Sequence, residues 1–157
     1  MATRIRGVAL IIKHPETEQI LTLRENEDKP WLGKLAGMWS TPMETIHDGE
    51  AHDATIRRLI HEELSDMPMS LFGNRIGAYL IVPGIWATLY TAHSATADLT
   101  AIADNNEVNS HAWVHPKEAL ELWLRRGAPE MIQDYLDHRT GVIRRYCIAP
   151  SMEEPII

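Results

Sequence analysis

Residues 37–65 read GMWSTPMETIHDGEAHDATIRRLIHEELS, an acidic loop running into one amphipathic helix, and on either side the chain is patterned as paired strands. A single helix between strand pairs must bury its apolar stripe on a sheet, which confines the fold to layered α/β arrangements. Ile56, Leu59, Ile60 and Leu64 fall at helical spacing, so the pattern predicts a helix over 51–64 with Arg58, Glu62 and Glu63 near its edge. Asp48-Gly49-Glu50 suits the start, because Asp caps free amides and acidic groups complement the helix dipole. Ser65-Asp66-Met67-Pro68 ends it, since the residue before a proline is pushed out of the helical region.

Residues 8–12 and 20–23 are short aliphatic runs around a polar turn that contains Pro15, which reads as a hairpin. A third strand is expected over 37–41, stopped by Pro42. Residues 76–82 and 85–93 flank Pro83-Gly84 and make a second hairpin. Residues 112–114 form a last short strand, and Pro116 opens a helix through 124, followed by another over 129–136. The expected fold is α/β, a sandwich with a mixed β-sheet. One domain covers residues 1–143, and 144–157 is a C-terminal tail, docked or disordered.

Composition narrows the function classes. A formal charge of −7 argues against nonspecific nucleic-acid binding, which comes from Lys and Arg displacing counterions. Cys147 is the one cysteine, so no internal disulfide forms and a cytoplasmic location is expected. Arg4 and Arg6 precede an apolar run that Lys13-His14-Pro15 cuts short, too brief for a secretory leader or a membrane span. No membrane partner is expected, and a second copy of the chain is allowed as one.

Glu44, Asp48, Glu50, Glu62 and Glu63 gather within twenty residues or so, and such carboxylates point to a hard divalent cation, which takes oxygen ligands and is completed by substrate phosphates. The segment also resembles the Nudix box, G-x5-E-x7-R-E-U-x-E-E-x-G-U, where U is aliphatic. Registered on the glutamate pair, Glu50, Arg58, Ile60, Glu62 and Glu63 agree with it. Glu44 replaces the first Gly, Leu59 replaces the Glu after the Arg, Ser65 replaces the last Gly, and Asp66 stands at an aliphatic position. Shifting the register to Arg57 places His61 on the first glutamate of the pair and restores nothing. Gly37-Met38-Trp39-Ser40-Thr41-Pro42 resembles the family's G-x-W-x-x-P lead-in, and Trp113-Val114-His115-Pro116-Lys117-Glu118-Ala119-Leu120 its late W-V-x-x-x-E-A-L segment.

The resemblance implies a Nudix-like α/β/α sandwich and a pyrophosphohydrolase that cleaves a nucleoside diphosphate linked to another moiety. It implies Mg²⁺ or Mn²⁺ as cofactor and a small phosphorylated, nucleotide-like substrate. Glu62 and Glu63 then hold metal, against the bland alternative of a solvated helix end. Glu44 is a further metal candidate in the place of the missing ligand, since leucine cannot bind a hard cation. Glu63 and Glu107 are the catalytic candidates, with Asp104 an equal competitor for the second. Glu50 and Arg58 fasten the loop to the helix. Among Trp31, Trp39, Trp86 and Trp113, Trp31 is the candidate for substrate stacking because it lies in a Pro-Gly loop. The competing function is a Nudix-fold nucleotide-binding or protein-interaction module in which hydrolysis is impaired, favoured by Leu59, Glu44 and Ser65.

Overall fold

The computed structural model describes residues 4–102 and 108–155. Strand β1, Ile5–Lys13, is apolar without alternation because it is buried on both faces. Val8, Leu10 and Ile12 enter one core with Ile56, Leu59 and Leu64. Ala9 and Ile11 enter the opposite core with Ile81, Met131 and Ile132.

The other elements follow from that placement. β2, Ile20–Glu25, closes the first hairpin through Lys13↔Ile20 and then diverges to pair with β3, Trp39–Ser40, and later with β7, Val108–Val114. β5, Met69–Val82, and β6, Ile85–Ser94, form the second hairpin, turned at Gly84 with φ 83°. β6 lies parallel to β1 along its whole length. Helix α1, His52–Leu64, covers one face of the sheet. The short α2, Pro116–Ala119, and α3, Ala128–Leu136, cover the other. The eight strands of the described residues form one mixed sheet, ordered β3-β2-β1-β6-β5-β8, with β4, Met43–Thr45, on β1 and β8, Val142–Arg144, at the far edge. The expected α/β sandwich with a mixed sheet is what the chain forms.

Several boundaries differ from the sequence reading, β7 for instance starting at Val108 and not at 112, and the following ones have a tertiary reason. Pro42 does not end the pairing: β4 resumes beyond it and lies on β1, where Gly7 allows the approach, since a Cβ there would sit 3.0 Å from the Glu44 carbonyl oxygen. β5 starts seven residues earlier than expected, and its register shifts against β6 at three places, which breaks the alternation that would reveal a strand. α2 ends at Ala119 and not at 124, because residues 120–125 turn back to pair with β3: Trp39 N donates to the Trp123 carbonyl at 2.7 Å, and Arg125 N to that of Trp39 at 3.0 Å. β8, unexpected from the sequence, straddles the expected domain–tail boundary at 143/144, running parallel to β5 against Gly77, where a Cβ would clash with the Val142 carbonyl oxygen.

A buried network locks the β8 edge. Asp134 on α3 is fully buried and accepts from Tyr79 Oη at 2.9 Å and from Arg144 Nε at 3.0 Å. Burial alone would raise its pKa, yet the bonds from Arg144 and Tyr79 bring it below the usual carboxylate value. Burial, with the Asp134 carboxylate beside it, pushes the Tyr79 phenol well above its ordinary value. Asp134→Ala leaves a buried phenol and a guanidinium without their acceptor, a loss of roughly 3–5 kcal/mol. The unfolding midpoint should drop by roughly 10 °C in a thermal melt, whereas a drop below about 2 °C would show that the edge does not depend on this carboxylate.

Candidate active site

The loop and helix of the acidic segment meet at Arg58. Its Nη2 donates to Glu50 Oε1 at 2.9 Å and to the Thr45 carbonyl at 2.6 Å, and its Nε to Glu50 Oε2 at 3.2 Å. Nη1 lies 3.2 Å from Glu44 and 3.7 Å from Glu62, one helical turn on. Three carboxylates from β4, the loop and α1 thus converge on one guanidinium, whose planar fork suits bidentate pairing. Arg57, the alternative register, is exposed.

Glu50 is the strongest of these partners. Its carboxyl falls from 4.5 to about 2 because Arg58 hydrogen-bonds it, with the Thr55 hydroxyl and the His47 amide adding to the effect. Arg58 is held above its ordinary value chiefly by the same bond. Glu50 does this from outside the helix: the N-cap is Ala51, without a side-chain cap, so neither Asp48 nor Glu50 caps α1.

Leu59 is fully buried with Leu10, Leu21 and Ile56, so the position where the Nudix pattern has a ligand is part of a core. Glu63 lies one turn beyond it on the same helical face and is half-buried, while Glu62 is half exposed. Glu44, the other metal candidate, has its carboxylate on Arg58 and accepts from the Thr45 amide at 3.0 Å. Among the described residues no group of three or more His, Cys, Asp or Glu side chains is gathered to hold an ion. Mg²⁺ is commonly held by one or two carboxylates with waters and substrate phosphates. The Glu62 and Glu63 donor set fits an ion completed by substrate, not one enclosed by protein. Glu107 and its competitor Asp104 lie outside the described residues.

Beside Glu44 opens a cleft of about 140 Å³ at the N-terminal end of β1, floored by Ile5, Gly7 and Ala87 and walled by Trp86. Of its charged lining side chains, Lys29, Lys34 and Arg125 are cationic and Glu44 anionic. Lys34 and Arg125 are both buried and both approach Glu25, at 3.1 and 3.4 Å. Trp31 sits on a single 3-10 turn, Pro30–Leu32, is 65% exposed, and is not among the lining residues; the aromatic wall is Trp86. The cationic wall was not picked out from the sequence. Lys29 and Lys34 precede the lead-in motif and Arg125 follows the late one, so only their tertiary approach joins them.

The chain matches the NUDIX domain over residues 3–135. It belongs to the NUDIX domain family. No curated protein sequence matches it. Its fold is similar to that of the MutT protein from Methanosarcina mazei Go1, with a TM-score of 0.66, 18% identity, and 87% of this chain and 95% of that one covered. It is also similar to a NUDIX hydrolase from Nitrosomonas europaea, at 0.67 and 17%, covering 92% and 98%. A C. elegans Ap4A hydrolase aligns at 0.62 and 14%, covering 85% and 96%.

The depressed Glu50 pKa has a direct consequence. Such a carboxylate contributes stability above its unfolded pKa and loses it as pH falls through the folded one. Glu50→Gln should therefore melt below the wild type at neutral pH, and the gap should close as pH falls from 4.5 towards about 2. A gap that stays constant across that window in thermal melts would mean that the ionised pair does not hold the loop.

Proposed function

We propose that this chain is a divalent-metal-dependent hydrolase of a nucleoside diphosphate linked to another moiety. The observation that carries this reading is the continuous link from cleft to helix end: Glu44 lines the cleft and pairs with Arg58, which also reaches Glu62. Glu44 thus stands in the lining of a cleft whose cationic side chains are Lys29, paired with Glu27, and Lys34 and Arg125, paired with Glu25; a polyphosphate entering beside the base-sized Trp86 would compete for these cations.

In this reading Glu62 and Glu63 hold Mg²⁺ or Mn²⁺, which supplies charge neutralisation at the phosphates and a bound water of lowered pKa. Glu63 is the catalytic candidate on α1, with Glu107 the candidate second acid. Lys29, Lys34 and Arg125 orient phosphate oxygens, and Arg58 with Glu50 keeps the loop on the helix. Trp31, exposed on its turn, could contact only a portion of substrate that extends out of the cleft.

A second reading, a nucleotide-binding module without hydrolysis, is favoured by one observation, the burial of Leu59 in the core. The test is release of phosphate and nucleotide from a panel of nucleoside triphosphates, ADP-ribose, NADH, nucleotide sugars and dinucleoside polyphosphates. The last class includes Ap4A, the compound in the name of the C. elegans relative. The hydrolase reading expects turnover with Mg²⁺ or Mn²⁺ that drops on the order of 100-fold or more in Glu63→Gln. No turnover, with a panel member still raising the melting temperature, would favour the binding module.

Leu59→Glu separates the readings independently. Without metal it should lose about 3 kcal/mol or more, because an unpaired carboxyl replaces a buried leucyl side chain. If Glu63 lies at a metal site, Mg²⁺ should restore part of that stability in a melt. No restoration at millimolar Mg²⁺ would count against metal binding at this end of α1.

A further inference from the structure

The family match stops at residue 135, yet the chain beyond it is fastened to the loop that supplies the cleft. After β8, Cys147 is fully buried in the core beneath α3. Its carbonyl accepts from Arg126 Nε at 2.9 Å. The Ile148 amide donates to Glu130 Oε2 at 2.9 Å, and Trp123 Nε1 donates to the Ser151 carbonyl at 2.9 Å. The Arg126 guanidinium stands 5.7 Å from the centroid of the Tyr146 ring, within cation–π range. Further on, Ala149, Pro150 and Met152 face Pro30, Gly33 and Leu35 across a crevice of about 70 Å³.

The other end of the same linkage lies in residues 29–34. Arg126 N donates to the Gly33 carbonyl at 2.9 Å, and Arg125 Nη2 to that of Leu32 at 3.0 Å. Gly33 has φ 76°, and a Cβ on it would come 2.7 Å from Arg126 Cβ, so the loop and Arg126 are in close contact. The turn itself has no buried residue. A segment with so little burial of its own opens locally unless something outside it holds it. Arg126 holds it together with Arg125 and the buried Lys34–Glu25 ion pair, and the Arg126 side chain is in turn held by the tail.

We propose that residues 145–155 are a positioning strap that acts through Arg126 on the loop 29–34, keeping Lys29 and Lys34 at the cleft and so setting its affinity for a phosphorylated ligand. Holding these cations in place before binding removes an ordering cost that the ligand would otherwise meet. The effect on affinity rests on the nucleotide reading above; the hold on the loop does not.

The test compares the full chain with Tyr146→Ala joined to a deletion of residues 149–157, which removes the ring against Arg126 and the far side of the crevice while leaving Cys147 and β8 in place, and with Arg126→Ala, which removes the guanidinium held by the tail and keeps the chain length. Amide hydrogen exchange at Leu32, Gly33 and Lys34 should quicken on the order of tenfold in both variants, while amides of β1 and β6 stay unchanged. KM for a hydrolysed nucleotide should rise on the order of tenfold with kcat within about twofold. Unchanged loop exchange in both variants would overturn the proposal. So would equal acceleration in β1 and β6, which would make the tail a general prop, or a fall in kcat with KM unmoved. The exchange measurement needs no turnover, so a failure of the nucleotide reading would appear separately, as an inert full-length chain whose loop still responds.

Discussion

The structure depends on β1 being buried on both faces. A strand so placed has to satisfy two cores at once, and its alternating residues do so: Val8, Leu10 and Ile12 meet α1, while Ala9 and Ile11 meet the α3 side. Its backbone is equally committed. One edge is taken by β6 from Ile5 to Lys13, and the other is shared between β4 near its start and β2 at its end. Because β2 leaves β1 after a single residue pair, the sheet is split on that side. The cleft lies at the start of β1, between β4, β6 and the loop 29–34.

Arg58 turns this scaffold into a site. A helix packed on a sheet fixes its own axis but leaves the preceding loop with few apolar groups to anchor it. The guanidinium supplies the anchor with a carbonyl and three carboxylates. A single half-buried cation surrounded in this way lowers the repulsion among Glu44, Glu50 and Glu62, and the depressed Glu50 pKa is the signature of that balance. The same contact commits Glu44. A side chain at this position in the sequence could reach a metal, but here its carboxylate pairs with Arg58, as that of Glu62 does one helical turn on.

Elements whose pattern is local were legible in the sequence. The helix 51–64, the Pro83-Gly84 hairpin and the strand after Pro15 are set by periodicity and turn chemistry, and the box residues by spacing. β4, β8 and the early part of β5 were not, because each exists through a partner: Gly7 admits β4, Gly77 admits β8, and bulges hide the period of β5. The site divides along the same line. Glu50 and Arg58 both stand in register with the family's box, so the resemblance implied their pairing, and the structure shows it. The Glu25, Lys34 and Arg125 cluster spans a hundred positions, and nothing in its local sequence marks those side chains as buried. The tryptophans mark the same limit: the loop position of Trp31 suggested a ligand contact, while the aromatic wall of the cleft is Trp86, another of the four weighed for that role.

Leu59 ties the two halves of the molecule together. In a box with glutamate at that position, α1 would carry a carboxylate on the face turned towards the sheet, and the cost of burying it would have to be met by a cation. With leucine the position instead contributes roughly 1.5–3 kcal/mol of apolar burial, and its neighbours Leu10, Leu21 and Ile56 close over it. The helix is therefore seated by packing at this position, and in the proposed reading the metal falls to Glu62 and Glu63 at the helix end. An ion held by two carboxylates would take the rest of its coordination from water and substrate phosphates. In the proposed reading the cleft side chains place the polyphosphate, and of these Lys29 and Lys34 flank a turn with no buried residue of its own. With leucine at 59 that reading rests substrate binding more on the cleft loop, and the loop in turn rests on Arg125, Arg126 and the tail that contacts Arg126.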